Sequence, residues 1–228
     1  LLSLKKFLTF IEAHSPLSAL LVEKISIIKD KKEKYFDGFW SSSLTDSTLF
    51  GRPDTEALDI SLRLSNIDKI FDVTSKPLIM DIDTGGKQEH LKMKINSMEK
   101  LGISAVIMED KTGSKKNSLF EDTSNQVQED PDIFAKKINF IKKNQMTNDF
   151  MVFARIESFI LNKNLADAMN RAKKYVKAGV DGIMIHSKSK DPKEIFKFAK
   201  AFRKFNKKIP LVSVPSTYNH VTEKNLID

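Results

Sequence analysis

The sequence predicts an α/β fold, a (β/α)8 barrel of the TIM type, and three observations support this. Seven short apolar runs alternate with amphipathic helical segments at a spacing of roughly 30 residues, as in repeated βαβ units. The runs are largely apolar throughout, which is typical of parallel strands that helices cover on both faces. No Gly-x-Gly-x-x-Gly follows any run, and this counts against an open dinucleotide-binding sheet.

The seven apolar runs are the predicted strands, and polar residues follow each of them. Their bounds are residues 7–13, 36–40, 77–82, 104–108, 150–156, 182–185 and 210–214. A closed barrel of this type has eight strands. We therefore expect one barrel domain, residues 1–228, that is incomplete at both ends, with its eighth strand beyond Asp228.

Cap residues and apolar spacing predict the helices between the strands. Ser15 and Pro16 open the first helix, as N-cap and first helical residue, and we extend it through the lysine-rich residues 29–34. The later helices carry apolar residues at helical spacing over 58–70, 91–101, 134–141, 165–176 and 195–202. Residues 45–55 and 109–118 are predicted to be long polar loops, and the second of them to be mobile.

Composition excludes several classes of function. The chain has no cysteine, which excludes disulfides, thiolate nucleophiles and thiolate metal sites and fits a cytoplasmic protein. No apolar run approaches the roughly 20 residues that a membrane span needs. The net charge is +8, but the lysines are dispersed over helix faces, so we expect no nucleic-acid partner and no membrane partner.

Acidic residues follow adjacent predicted strands, where barrel enzymes carry their active residues. Asp81 and Asp83 end the third strand, and Glu109 ends the fourth. Converging carboxylates repel one another unless a cation joins them, and oxygen ligands suit Mg²⁺. Arg155 and His186, at the next two strand ends, are expected to face an anion that the metal holds. A structural cluster of ion pairs is the alternative.

Two other features have a structural and a functional interpretation. Trp40, the single tryptophan, either walls the pocket or fills the barrel interior. The polar segment 109–118 is either part of the site, with its acids at a strand end and its lysines in a loop, or a charged surface turn.

Motifs along nearly the whole chain match one known family. Glu109, Asp110 and Lys111, then five residues, then Asn117 and Ser118 form its signature. The other matching stretches are Glu12-Ala13-His14, Gly38-Phe39-Trp40-Ser41-Ser42, Asp81-Ile82-Asp83-Thr84-Gly85, Ala154-Arg155-Ile156-Glu157 and His186-Ser187-Lys188. The chain resembles the phosphoenolpyruvate phosphomutase family, within the superfamily of barrels that includes isocitrate lyase. The resemblance implies Mg²⁺-dependent interconversion of phosphoenolpyruvate and phosphonopyruvate, the phosphorus–carbon bond-forming entry to phosphonates.

The resemblance also implies roles for individual residues. Asp81 would be the main Mg²⁺ anchor, with Asp83 and Glu109 acting through water. Asp54 would lie beside the migrating phosphoryl group, and Lys115 would lie in a loop that closes over the substrate. The implied catalytic residues are Asp54, Lys115, Asn117, Arg155 and His186. The implied substrate-binding residues are Trp40, Ser41, Ser42, Ser43, Asn117, Ser118, Arg155 and His186.

The sequence departs from the family pattern at three places. Ser15-Pro16 stands where Asn-Gly is usual, and Gly86-Lys87 replaces an aromatic–glycine pair. Ser41 and Ser43 replace glycines on either side of Ser42. These departures concern the segments that would bind the pyruvate carboxylate and the enolate oxygen.

Other functions remain open at this point. A phosphonopyruvate hydrolase would share most of the site, and Asn117 favours the mutase. A carbon–carbon lyase of the same superfamily would normally carry a loop cysteine, which is absent here. A catalytically inactive barrel that serves in binding or assembly is the alternative of another class. The resemblance further implies a homo-oligomer, a dimer or tetramer that exchanges C-terminal helices.

Overall fold

The computed structural model describes residues 2, 5, 7–29, 31–113, 115 and 126–227. Its main element is a curled, fully parallel sheet of seven strands, in the order β1, β4, β5, β6, β9, β10, β11. These strands are β1 (Phe10–Glu12), β4 (Gly38–Ser41), β5 (Leu78–Asp81), β6 (Ala105–Glu109), β9 (Met151–Ile156), β10 (Gly182–Ile185) and β11 (Leu211–Val212). The predicted α/β class and its seven strands are confirmed, and the expected eighth strand stays a prediction.

Helices connect the strands as the βαβ pattern predicts. They are α1 (Pro16–Lys24), α2 (Ser43–Leu49), α3 (Ile60–Phe71), α4 (Gln88–Leu101), α5 (Pro131–Asn144), α6 (Leu165–Lys177), α7 (Lys193–Phe205) and α8 (Glu223–Ile227). Ser15 caps α1 with Pro16 in its first turn, and Gly102 ends α4 in the left-handed region at φ 96°. The helix starts and stops that depend on caps were therefore predictable from the sequence. None of the helices in the described ranges is both long and apolar enough to cross a membrane.

The sheet separates two apolar layers. Alternate residues of each strand, such as Met80 and Val106, face the helices in the larger core. The residues between them, such as Ile79 and Ile107, pack together in a smaller inner cluster. Trp40 is partly buried and packs against this inner cluster, while its role in substrate binding stays a prediction.

Three local predictions are wrong. The first helix ends at Lys24, and two short strands that pair antiparallel follow it, β2 (Ile27–Lys29) and β3 (Lys32–Lys34). The β-branched Ile25, Ile27 and Ile28 disfavour the helix there, and Lys31 makes the turn with φ 60°. The loop predicted over 45–55 begins within α2, a helix of serine- and threonine-rich sequence that contains three buried polar residues, Ser43, Asp46 and Ser47.

The third correction concerns the polar segment after β6. Instead of being irregular throughout, it begins with β7 (Lys111–Thr112), which pairs antiparallel with β8 (Val127–Gln128). Asp110, just before β7, is fully buried and accepts hydrogen bonds from Gln128, Tyr175 and the amide of Glu157. These buried contacts hold the base of the segment, and a local sequence pattern does not reveal them.

Candidate active site at the carboxyl ends of the strands

The strand ends bring four predicted site residues to one edge of the sheet. Asp81, Glu109 and Arg155 lie in β5, β6 and β9, and His186 follows β10. Their side chains lie on the inner face of the curled sheet. Residues two positions apart in a strand share a face, and the residues two positions before these four pack in the inner cluster. All four are at most 9% exposed, so they form a buried polar layer above that cluster.

Arg155 is the centre of this layer. Its Nε donates to Glu157 at 2.6 Å, and Nη1 donates to Asp81 at 3.4 Å. Its Nη2 lies 3.4 Å from Glu109 and 3.0 Å from Nδ1 of His186. Burial by itself lowers the pKa of Arg155, but the three carboxylates raise it above its ordinary value. The guanidinium is therefore charged and holds three acidic strand ends together.

Glu109 is a buried carboxylate with a deficit of donors. It is 1% exposed, and neither of its oxygens accepts a hydrogen bond from the described residues. Arg155 and Lys111 approach it only as ion pairs, each at 3.4 Å. Burial raises the pKa of Glu109 to about 8, although Arg155 acts in the opposite direction. A carboxylate of this kind favours a further cation.

Asp81 and Asp83 form the acidic end of β5. The amide of Asp83 donates to Oδ1 of Asp81 at 2.9 Å, which fixes the orientation of the Asp81 carboxylate. Asp83 adopts φ 54°, a left-handed conformation that aspartate tolerates better than most residues. Burial, and then the charge of Asp81, raises the pKa of Asp83 to about 6.

Lys115 brings the segment after β6 into the site. Its Nζ donates to Asp54 and Asp83, and to the hydroxyl of Ser43 at 2.8 Å. Burial lowers the pKa of Lys115, but Asp83, Asp81 and Asp54 raise it above its ordinary value. The ammonium thus joins Ser43, Asp54 and Asp83, which precede it in the chain by 72, 61 and 32 positions.

His186 is arranged as a neutral imidazole. Burial and the neighbouring Arg155 lower its pKa. Nη2 of Arg155 lies 3.0 Å from Nδ1, whereas Glu157 lies 3.3 Å from the same atom. Since the arginine is a donor only, the shorter contact assigns a lone pair to Nδ1 and the proton to Nε2. His186 can then donate from Nε2 to an anion.

The three hydroxyls of the serine segment, Ser41–Ser43, differ in their hydrogen bonds. Ser41 is 1% exposed and donates to Asp46 at 2.6 Å, while it accepts from Arg63 at 3.1 Å. Ser43 accepts from Lys115 at 2.8 Å. The hydroxyl of Ser42, half-buried at the N-cap of α2, makes no side-chain capping bond. Ser42 is therefore the member of the segment that is available to a ligand.

Sequence reasoning gave no role to several residues that shape this site. Glu157 is fully buried, and burial by itself raises its pKa, but the charge of Arg155 is the main effect that brings it well below the ordinary value. Arg63 was missed, although a signal existed. It shares the helical spacing of Ile67 and Ile70, which face the core. An arginine in an apolar stripe predicts a buried acidic partner, and that partner is Asp46 at 2.9 Å.

Two predicted site residues, Asn117 and Ser118, lie outside the described residues. Trp40, Ser41 and Ser42 contact neither Lys115 nor Arg155 through a hydrogen bond or ion pair among the described residues, and the remaining predicted residues fall in two groups. Around Lys115 lie Asp54, Ser43 and Asp83, and around Arg155 lie Asp81, Glu109 and His186. The two groups meet at the end of β5 through Asp81 and Asp83.

The donor chemistry of this edge fits Mg²⁺. Asp81, Asp83 and Glu109 offer only oxygen ligands, and the buried oxygens of Glu109 have no hydrogen-bond donor among the described residues. In the part of the chain that the structure describes, however, no three acidic or histidine residues form a ready ligand cluster.

Comparison with known proteins gives consistent relatives. The family model described as phosphoenolpyruvate phosphomutase matches residues 1–228. Phosphoenolpyruvate phosphomutase of Tetrahymena pyriformis is 35% identical over 95% of this chain and 68% of its own length. Phosphonopyruvate hydrolase of Variovorax sp. (strain Pal2) is also 35% identical, over 97% of this chain and 72% of its own length.

A solved structure shares the fold. It is a phosphonopyruvate hydrolase in complex with oxalate and Mg²⁺, which is 33% identical and has a TM-score of 0.83 over 97% of this chain and 71% of that one. The family-model match over the whole chain, the relatives of 35% identity and the shared fold lead to one conclusion. The chain belongs to the phosphoenolpyruvate phosphomutase family, within the enzyme superfamily of phosphoenolpyruvate mutases and isocitrate lyases.

Proposed function

We propose that the protein is a Mg²⁺-dependent phosphoenolpyruvate phosphomutase, which interconverts phosphonopyruvate and phosphoenolpyruvate. One observation carries the proposal. Two buried cations, Arg155 and Lys115, converge on the acidic end of β5 from different elements, through Asp81 and Asp83. A binding domain without activity has no need to bury so many charges together, because their desolvation is costly unless function requires them.

The metal has an assigned place in this proposal. Asp81 would hold Mg²⁺ directly, and Asp83 and Glu109 would act through water. The ion supplies Lewis-acid stabilisation of negative charge on the enolate oxygen. A relative of 33% identity crystallised with Mg²⁺ and oxalate supports this choice of cofactor.

The chain's own residues would bind the two ends of the substrate. Ser42, with the backbone around it, binds the pyruvate carboxylate. The guanidinium of Arg155 and the Nε2 proton of His186 hold the phosphoryl oxygens. A loose phosphoryl-transfer transition state needs such positioning and charge stabilisation more than covalent chemistry.

The reaction itself exchanges one bond to phosphorus for another. The phosphorus–carbon bond of phosphonopyruvate breaks, and its electron pair stays on carbon as the enolate. The enolate oxygen then forms a bond to phosphorus, which gives phosphoenolpyruvate without net gain or loss of protons. Asp54, held by Lys115, lies beside the migrating group and either steers it or accepts it covalently. During this step the site must exclude water, which would otherwise take the phosphoryl group.

Hydrolysis of phosphonopyruvate is the second candidate. A hydrolase and a mutase are equally identical to this chain, at 35%. Both reactions need the metal, Arg155 and His186, so these residues do not distinguish them. Asn117, the residue that favours the mutase, lies outside the described residues.

Phosphorus NMR separates the candidates. The full natural chain is incubated with phosphonopyruvate and Mg²⁺, and the products are followed over time. We expect phosphoenolpyruvate with little inorganic phosphate. If pyruvate and phosphate are the main products, the protein is a hydrolase and the mutase proposal is wrong. No turnover at all would contradict both proposals.

The remaining proposals concern the assembly and location of the protein. We propose a homo-oligomer, in line with the family resemblance, and a cytoplasmic location. Sedimentation of the purified natural protein tests the first, and fractionation of the cells that make it tests the second.

A further inference from the structure

A buried arginine ties the serine segment to the acidic end of β5. Arg63 on α3 is 3% exposed, and its partners Asp46 and Ser41 are also buried. Its Nε donates to Asp46 at 2.9 Å, and Nη2 donates to the Ser41 hydroxyl at 3.1 Å. Its Nη1 donates to the carbonyl oxygen of Asp81 at 2.7 Å. One guanidinium therefore joins the end of β4, helix α2 and the end of β5.

The bond to Asp81 takes the place of a strand contact. The β4–β5 pairing ends with Ser41 opposite Met80, because the chain turns into α2 after Ser41. Asp81 is one residue beyond this last pair, on the side where β4 has stopped. Its carbonyl accepts from Arg63 instead. The guanidinium thus continues the connection between the two strands where the backbone ladder ends.

The two segments that Arg63 joins carry different halves of the site. On one side is the serine segment, with Ser42 half-buried and Ser43 bound to Lys115. On the other side is Asp81, whose carboxylate orients the amide of Asp83. A shift of one segment against the other would change the distance between the substrate carboxylate and the acids. Misplacement by about 1 Å costs on the order of 100-fold in rate.

Stability alone is a weak explanation for this cluster. Buried ion pairs lose much of their attraction to desolvation, and well-packed apolar residues often replace them without loss of stability. Arg63 also donates to two backbone carbonyls, of Asp81 and of Ser41, the latter at 3.4 Å. These bonds constrain the backbone of two different strands, which an apolar side chain does not do.

We infer that Arg63 is a positioning residue, which sets the serine segment against the acidic end of β5 so that both ends of one small substrate, with an anionic group at each end, are bound together. It does not contact the substrate itself and acts through Ser41 and Asp81. The inference rests on the proposed function, since the distance matters only if both segments bind the same ligand.

The test separates a role of Arg63 in the stability of the fold from a role in positioning the two segments of the site. Arg63→Met with Asp46→Asn removes both buried charges at similar volume and keeps an acceptor for the Ser41 hydroxyl, so the fold is expected to be retained, with a lower melting temperature because the Asp81 carbonyl loses its donor. The matched control is Arg203→Met, because Arg203 also donates to a carbonyl, of Ile209 at 2.6 Å, at the other end of the strands. The readouts are kcat and KM for phosphonopyruvate, and calorimetric titration with Mg²⁺ alone and with Mg²⁺ plus oxalate.

We expect the folded double variant to lose on the order of 100-fold in kcat and to bind oxalate with Mg²⁺ more weakly, while Arg203→Met changes neither. A folded double variant with the kcat and oxalate affinity of the wild type would overturn the inference. If the double variant does not fold, Arg63→Lys is measured in its place. It keeps the charge but reaches fewer acceptors, and wild-type values for it would also overturn the inference.

The two proposals fail in different ways. A wild-type chain that binds Mg²⁺ and oxalate but does not convert phosphonopyruvate contradicts the proposed function, while the titrations still decide the role of Arg63. A wild-type chain that converts phosphonopyruvate together with a fully active folded variant contradicts only the role of Arg63. A wild-type chain that neither binds nor converts contradicts both.

Discussion

At the scale of the residue, the site depends on carboxylates that are kept together by cations. Asp81 is only 5% exposed and contacts Arg155 with its carboxylate and Arg63 with its carbonyl. Glu109 has less compensation, and burial raises its pKa to about 8. The residue types at the strand ends were predictable from the sequence. Which cation faces Asp81 or Asp83 was not, because the pairs Arg155–Asp81 and Lys115–Asp83 join residues distant in the chain.

Asp81→Ala is expected to abolish Mg²⁺-dependent turnover and to leave the fold intact. The change removes the proposed direct ligand, whereas Arg155 keeps Glu109 and Glu157 as partners. Calorimetric titration with Mg²⁺ and circular dichroism measure the two effects. Asp68→Ala, an exposed position on α3, is the control. Normal turnover and Mg²⁺ affinity in Asp81→Ala would show that the metal assignment is wrong.

At the scale of the element, short loops and caps place the site residues. Strand β5 ends at Asp81, and the left-handed turn at Asp83 brings a second acid to the same place. The strand and the polar residues after it were predictable from composition and alternation. Helix α2 was not, because its serines and threonines have a low helix propensity and depend on buried contacts of Asp46.

Lys115 connects the segment after β6 to two earlier elements, and its removal tests that connection. In Lys115→Ala, Asp54 and Asp83 lose their shared cation and repel each other. We expect a fall in kcat for phosphonopyruvate of about 10-fold or more, since one charge-assisted contact contributes about 1.5–3 kcal/mol. Steady-state kinetics measure it, with the exposed Lys69→Ala as control. Equal kcat in the two variants would remove Lys115 from the proposed mechanism.

At the scale of the whole molecule, the curled sheet collects charges from most of the chain into one buried layer. Opposite charges meet there, but burial leaves Glu109 and Asp83 with raised pKa values. The folded protein therefore carries an electrostatic cost that a bound cation would relieve. An unfolded chain has no such layer, so ligand binding should favour the folded state.

Saturation with Mg²⁺ and oxalate should accordingly raise the melting temperature. A ligand at 100 times its dissociation constant stabilises the folded state by about 2.7 kcal/mol. Thermal unfolding with and without both ligands measures the shift, and Ca²⁺ in place of Mg²⁺ tests ion selectivity. We expect Asp81→Ala to lose the shift. An unchanged melting temperature of the wild type at saturating concentrations would contradict a site for these ligands.

The sequence by itself determined the α/β class, the seven parallel strands, the capped helix starts and the acidic strand ends. These features depend on local periodicity and on cap chemistry, which act over a few neighbouring residues. Only the tertiary structure decided that Lys115 joins Asp54 to Asp83, that Arg63 ties Ser41 to Asp81, and that Trp40 packs against the inner apolar cluster. A buried charge takes its partner from whatever the completed fold brings within reach, and local sequence carries little information about that choice.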